Sequence, residues 1–406
     1  NLIAAATAAA TDPDHREIAW LLADALRRYS WIRADAIGWL ALAEAGLVAA
    51  TAAGNAHGRA SAELGLGLAD IQAGRYEDGI AHLRRAIAFS RRAGWEDCQA
   101  VSYGNLGIAH SELGHLRLAI DHFGKALALN EQLDRRGGLA TNLGNLGLLQ
   151  LRMGRFGPAA DQLVRALTLQ SDGAGRGNRG VFLTGLGTAK AHLGQVGTAL
   201  DDLLESVTIC AEFGDATDQV EVQCSLARLY AQLGRHADAA HCAEAAVERS
   251  QPSTAANQAL ALTARATTRL AAGQHEPGLA DSRSAVGLID GGVGQYVQLV
   301  VMLGLAAAEQ CTGQYDEARD RATRVADTAK VTGYRHLHGQ ALSTIAASYL
   351  GAGMDSMAAR YGRQALAIQR RDEDRLSQAA TLSLLARVLP DGDQTIRQLR
   401  AAAPFA

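Results

Sequence analysis

One glycine recurs along this chain at Gly74, Gly114, Gly154, Gly194, Gly234, Gly273, Gly313 and Gly353, with 40 residues between neighbours except for a single gap of 39. A period of this size marks a stack of supersecondary units, each too small to bury its own apolar face. It overrides the two or three separate domains that 406 residues would otherwise suggest. Other positions keep the same phase. Seven residues before each glycine stands a small residue: Gly67, Gly107, Gly147, Gly187, Ala227, Ala266, Ala306, Ala346. Five after it stands another, from Gly79 and Ala119 to Ala358, and twelve after it Ala86, Ala126, Ala166, Ser206, Ala246, Ala285, Val325 and Ala365. Eight before it the residue is Leu or Ile in every unit except one, where Arg265 stands.

This pattern describes pairs of helices. Small residues at fixed places on two successive helices let their backbones approach, and the neighbouring Leu fills the space between them as a ridge fills a groove. The periodic glycine supplies the left-handed conformation that ends the first helix, here termed helix A, before helix B begins. Composition agrees: apolar residues make up 48% of the chain and aromatics only 5%, so most of the apolar content is Ala and Leu, both strong helix formers. Six prolines leave little to interrupt helices. At the N-terminus, helices are expected over roughly 14–29 and 32–53, with Trp20, Trp31 and Trp39 as aromatic bulk. At the C-terminus, a helix over 376–389 precedes a Pro390-Asp391-Gly392 turn and a short final helix.

Tyr103-x-x-Leu106-Gly107-x-x-His110, then Gly114, then Ala119-x-x-x-Phe123 and Ala126 resembles the tetratricopeptide repeat pattern position for position, with His where Tyr is usual. The period is 40 instead of 34 and the proline after helix B is missing, which implies longer B helices and connections. The resemblance runs from about 56 to 371. It implies an all-α, right-handed superhelical solenoid of antiparallel helix pairs, with about eight repeats over 56–374 between capping helices at 1–55 and 375–406, forming one continuous domain. More narrowly, Leu-Gly followed by Gly-Arg, with Ala126-Leu127-Ala128-Leu129 and Ala166-Leu167-Thr168-Leu169 closing B helices, is similar to the C-terminal sensor arrays of large actinobacterial regulators of the AfsR/SARP type. Those proteins also carry a DNA-binding region and a nucleotide switch, neither of which is matched here.

Other chemistries find little footing. A net charge of −3 gives no whole-chain case for nucleic acid. The longest apolar run, 299–308, is half what a membrane span needs. Cys98, Cys210, Cys224, Cys242 and Cys311 are odd in number and lack C-x-x-C, so unbridged, metal-free thiols and a cytoplasmic location are expected. Three lysines (Lys125, Lys190, Lys330) against many arginines is a bias common in high-GC bacteria. The start at Asn1 has no basic segment of the kind a secretory signal needs, and a helix-like run begins at once. The chain is therefore expected to be a piece of a longer protein. Gly175-Arg176-Gly177-Asn178-Arg179-Gly180 spells G-x-G-x-x-G, but no strand precedes it, and it reads as an inter-repeat loop. No P-loop is present. His336-x-His338 and the His236, His241, Cys242 group lack metal spacing, and pairs such as Asp201-Asp202 read as solvated charge. No enzyme, cofactor or metal site is expected.

The resemblance places helix A on a concave surface. Two residues before its small residue come Asn105 and Asn145 in adjacent repeats. In peptide-binding members of this family an asparagine in that slot holds a ligand backbone, since an amide offers both donor and acceptor. The same register adds Ser61, Val101, Ile108, Glu112, Thr141, Leu148, Arg152, Thr188, His192, Glu221 and Arg228. The basic carboxylate clamp of such proteins is absent. The expected function is a non-enzymatic sensor or scaffold that binds a protein, a peptide or a small effector in its groove, as the regulatory part of a larger bacterial transcriptional regulator. It makes no direct contact with nucleic acid or membrane, and self-association is compatible with it. The alternatives are a structural or oligomerisation platform and a stand-alone adaptor.

Overall fold

A computed structural model describes residues 2–33, 36–170, 176–289 and 293–389. These residues form twenty α-helices and no strand. The chain divides into two compact units, 1–145 and 146–406. The first holds α1 (Leu2–Thr11), α2 (Arg16–Arg33), α3 (Ala36–Ala52), α4 (Ala56–Gln72), α5 (Tyr76–Arg92), α6 (Glu96–Glu112), α7 (Leu116–Gln132) and the start of α8 (Arg136–Arg152). The second holds the rest of α8, then α9 (Phe156–Leu169), α10 (Arg176–His192), α11 (Val196–Phe213), α12 (Ala216–Gln232), α13 (His236–Ser250), α14 (Ala255–Ala271), α15 (His275–Val286), α16 (Gln295–Cys311), α17 (Tyr315–Thr332), α18 (Arg335–Gly351), α19 (Asp355–Arg371) and α20 (Arg375–Val388). From α4 onward even-numbered helices are A helices and odd-numbered ones B helices. The N-terminal region has one helix more than expected, α1. The side chains of Trp31 and Trp39, the Pro390-Asp391-Gly392 turn and the expected final helix lie outside the described residues.

Each periodic glycine ends its A helix as the spacing requires. All eight have φ between 71° and 81°. After α6, Gly114 N–H donates to Ser111 O (3.0 Å) and His115 N–H to His110 O (2.8 Å), the paired bonds that satisfy the last carbonyls of a helix. A second left-handed position, at the end of B helices, also keeps the 40-residue phase: Gly54, Gly94 and Gly333, with Asp134 and Glu373 in the same slot. This register is hard to see in the sequence, because only some units fill it with glycine.

The small residues carry the packing. Ala119, Ala159, Ala199, Ala239, Ala318 and Ala358 are fully buried, as are Ala86, Ala126, Ala166, Ser206, Ala246, Ala285 and Ala365. In the first four repeats, a glycine on helix A faces a large side chain on helix B. A Cβ on Gly107 would fall 2.6 Å from the Phe123 ring, and one on Gly147 or Gly187 under 3 Å from Leu163 or Leu203. In the last four repeats the helix A residue is Ala227, Ala266, Ala306 or Ala346, and the helix B residue shrinks to Ala243, Ser282, Ala322 or Gly362. A methyl group on helix A is thus accommodated where the helix B residue facing it is small, as close packing demands. Arg265, the exception in the Leu slot, is accommodated by charge: with Arg269 it brackets the buried Asp281 at 2.7–2.9 Å and reaches Glu244.

Candidate functional site

The helix A stripe was read from register, and the structure locates each member. Val101, Asn105, Ile108 and Glu112 lie half-buried along α6, one helical turn apart, and Thr141 and Asn145 follow on α8 in the same unit. The two helices touch where the buried Asn142 amide presses on Gly104, whose Cβ, if present, would lie 2.6 Å from Asn142 Oδ1. Asn105 Nδ2 donates to Val101 O (2.9 Å) in its own helix, which orients the amide and leaves Oδ1 and the second N–H available. The Asn145 amide makes no hydrogen bond to the described residues. Thr141 bonds back to Gly137 O (3.0 Å). Ser61 departs from its expected place: it is buried, and its hydroxyl donates to Asp24 (2.6 Å), so it is a packing residue between α4 and α2.

Within the second unit, Leu148 fills the space over Gly185 of α10. Thr188 is half-buried and bonds to Thr184 O (2.8 Å). Arg152 lies over the Tyr296 ring (5.2 Å), whose hydroxyl acidity is weakened by burial in spite of nearby Arg152 and Arg228. Glu221 is exposed, and Arg228 reaches Ser225 at 3.4 Å. His192 has a different setting. Its Nδ1 is 2.9 Å from Asp374 Oδ1, and His336 Nδ1 is 3.0 Å from the other oxygen of the same carboxylate. Phe156 stacks on His192 (4.2 Å, 9°) and meets His336 edge-on. Burial pushes the Asp374 carboxyl up, but the two imidazoles outweigh it and hold it far below the carboxylate range. Burial pushes the His336 imidazole down. No local spacing joins this trio, since His192 and Asp374 are 182 residues apart.

Two further readings are corrected by geometry. The second half of the glycine-rich run, from Arg176, opens helix α10 instead of forming a loop, and Gly175 lies outside the described residues. Asp202 is not solvated charge: it is half-buried and pairs with Lys190 at 2.6 Å. An open cleft against α3, α4 and α5 is lined by Asp70, His82 and Arg85, and these three are engaged: His82 and Arg85 bond the buried Glu63, and Arg75 bonds Asp70. All five cysteines are free thiols, four of them buried. Burial pushes Cys224 up to about 12, which removes it as a nucleophile at neutral pH. No helix among the described residues is long and apolar enough to cross a membrane.

Stacked antiparallel helix pairs with a recurrent left-handed turn and a repeated stripe of side chains on the A helices define an α-helical repeat scaffold. The tetratricopeptide repeat family profile matches residues 58–132, 180–251 and 298–371, more than half of the chain. The chain belongs to the tetratricopeptide repeat family. No curated protein sequence matches it. Among solved structures it is similar to a Rap protein complexed with competence and sporulation factor (12% identity, 84% of this chain and 99% of that one, TM-score 0.56). It is also similar to NprR in complex with its cognate peptide NprX (16% identity, 75% and 85%, TM-score 0.54). At these identities the likeness is one of fold.

Proposed function

We propose that the chain is a non-catalytic sensor that binds a peptide or an extended protein segment along its A helices. The observation that carries this reading is the stripe Val101, Asn105, Ile108, Thr141 and Asn145. It places two amides with unused hydrogen-bonding capacity on helices of consecutive repeats, beside apolar side chains that no neighbouring helix covers fully. Such amides match a peptide backbone, which offers donor and acceptor at every residue. The fold likeness to NprR, solved with its cognate peptide, and to a Rap protein, solved with competence and sporulation factor, supports it. So does the narrower sequence resemblance to sensor arrays of large bacterial regulators. In that setting the array relays binding by favouring one of two arrangements of the parent protein. The rival reading, a structural platform, draws on Leu148 packed over Gly185, which turns one member of the register to inter-repeat packing.

The test starts with peptide-display selection on the whole chain. With a selected peptide, replacing both Asn105 and Asn145 by Ala is expected to weaken binding by about 1–3 kcal/mol, the cost of leaving ligand groups unpaired. Stability is expected to change by less than about 0.5 kcal/mol, as for partly exposed positions outside the packing. Lost stability with unchanged affinity would favour the platform.

A further inference from the structure

We infer that His192, His336 and Asp374 form a binding site for a divalent first-row transition metal ion of the zinc class. The three come from separate elements of the second unit: His192 is the last residue of α10, His336 lies in the first turn of α18, and Asp374 caps the start of α20. Their donor atoms all lie within 4.8 Å of one another. The side chains are 14%, 10% and 3% exposed. The carboxylate is also anchored from behind, since Asp374 Oδ1 accepts from Ser377 N–H at 3.1 Å, and the Phe156 face fixes the His192 ring.

The charge balance points the same way. Asp374 is a buried carboxylate, and its only ion-pair partners among the described residues are these two imidazoles; no Lys or Arg among those residues pairs with it. A buried charge needs a compensating partner. Two imidazoles turned with Nδ1 toward one carboxylate form an N,N,O donor set, which suits zinc and its neighbours better than magnesium or calcium. Zinc bonds of about 2.0–2.2 Å to nitrogen and oxygen place neighbouring donors roughly 3 Å apart, close to the 2.9 and 3.0 Å separations present. Each neutral imidazole then carries its proton on Nε2 and offers the Nδ1 lone pair to the ion. Three protein ligands leave one tetrahedral position for water. Bound there, the ion ties the end of α10 to α18 and α20 across 182 residues of chain, and it stabilises the folded unit by mass action.

The experiment is zinc titration of the chelator-treated full chain by calorimetry, with thermal melts in parallel and cobalt substitution as a spectroscopic probe. The expected result is one zinc per chain, a higher Tm with zinc than with chelator, and cobalt d–d bands without a thiolate charge-transfer band. His192→Ala and His336→Ala should each weaken zinc by more than the roughly 10–100-fold that loss of a supporting partner costs. Asp374→Asn should do the same while keeping the cap on α20. No stoichiometric zinc, affinity unchanged in these variants, or a cobalt–thiolate band would overturn the site. If a variant fails to fold, the wild-type cobalt spectrum and the chelator dependence of Tm still decide it.

Discussion

His110 occupies the slot where the repeat pattern usually has Tyr, and the exchange has a cost that pH reveals. It is 4% exposed, and it stacks on His122 at 5.2 Å. Burial, reinforced by His122, His115 and Arg84, pushes its imidazole down to about 4 from 6.5. The unfolded chain therefore takes up a proton between these values that the folded chain refuses. Stability is complete above about pH 6.5 and falls as pH drops toward 4. His110→Tyr is expected to remove about 1–3 kcal/mol of that acid-side loss, read from urea unfolding at pH 7 and pH 5. An equal slope in both proteins would mean that His110 is protonated in the fold. The slot was legible in the sequence, but the stack of His110 with His122 was not, because it depends on where α7 lies against α6.

At the scale of the helix pair, the exchange of bulk between Gly107 with Phe123 and Ala306 with Ala322 shows why the small-residue positions were readable. Close approach of two helices leaves no room for a Cβ at one position unless its partner is small, so the constraint is written into residue size at fixed spacing. Ala159 is fully buried, and its carbonyl oxygen would lie 3.2 Å from a Cβ on Gly147. Ala159→Leu is expected to destabilise by about 1–3 kcal/mol through overpacking; an unchanged Tm would place this residue outside the seam. Ser61 was assigned to the binding stripe by the same register and proved to be a packing residue, because the proximity of Asp24 on α2 is a tertiary fact. The His192–Asp374 contact escaped notice for the same reason. His192 belongs to the helix A register and Asp374 to none of the patterns above, and only the arrangement of α10 with α18 and α20 joins them.

At the scale of the whole molecule, periodicity announced the architecture while the ligand left only a faint trace. Packing repeats in every unit, so eight copies reinforce one signal; recognition uses a few positions that differ between repeats, and Asn105 and Asn145 are two slots among eight. The central claim is that a peptide lies along the A helices of the first unit. It is tested most directly by photo-crosslinking a selected peptide that carries a photoreactive side chain, with the attachment points mapped by mass spectrometry. The account predicts attachment at Val101, Asn105, Ile108, Thr141 and Asn145, with loss of crosslinking in the Asn105→Ala, Asn145→Ala protein. Attachment concentrated on helix B, at exposed residues such as Leu118 and Lys125 of α7, and insensitive to that double substitution, would contradict it.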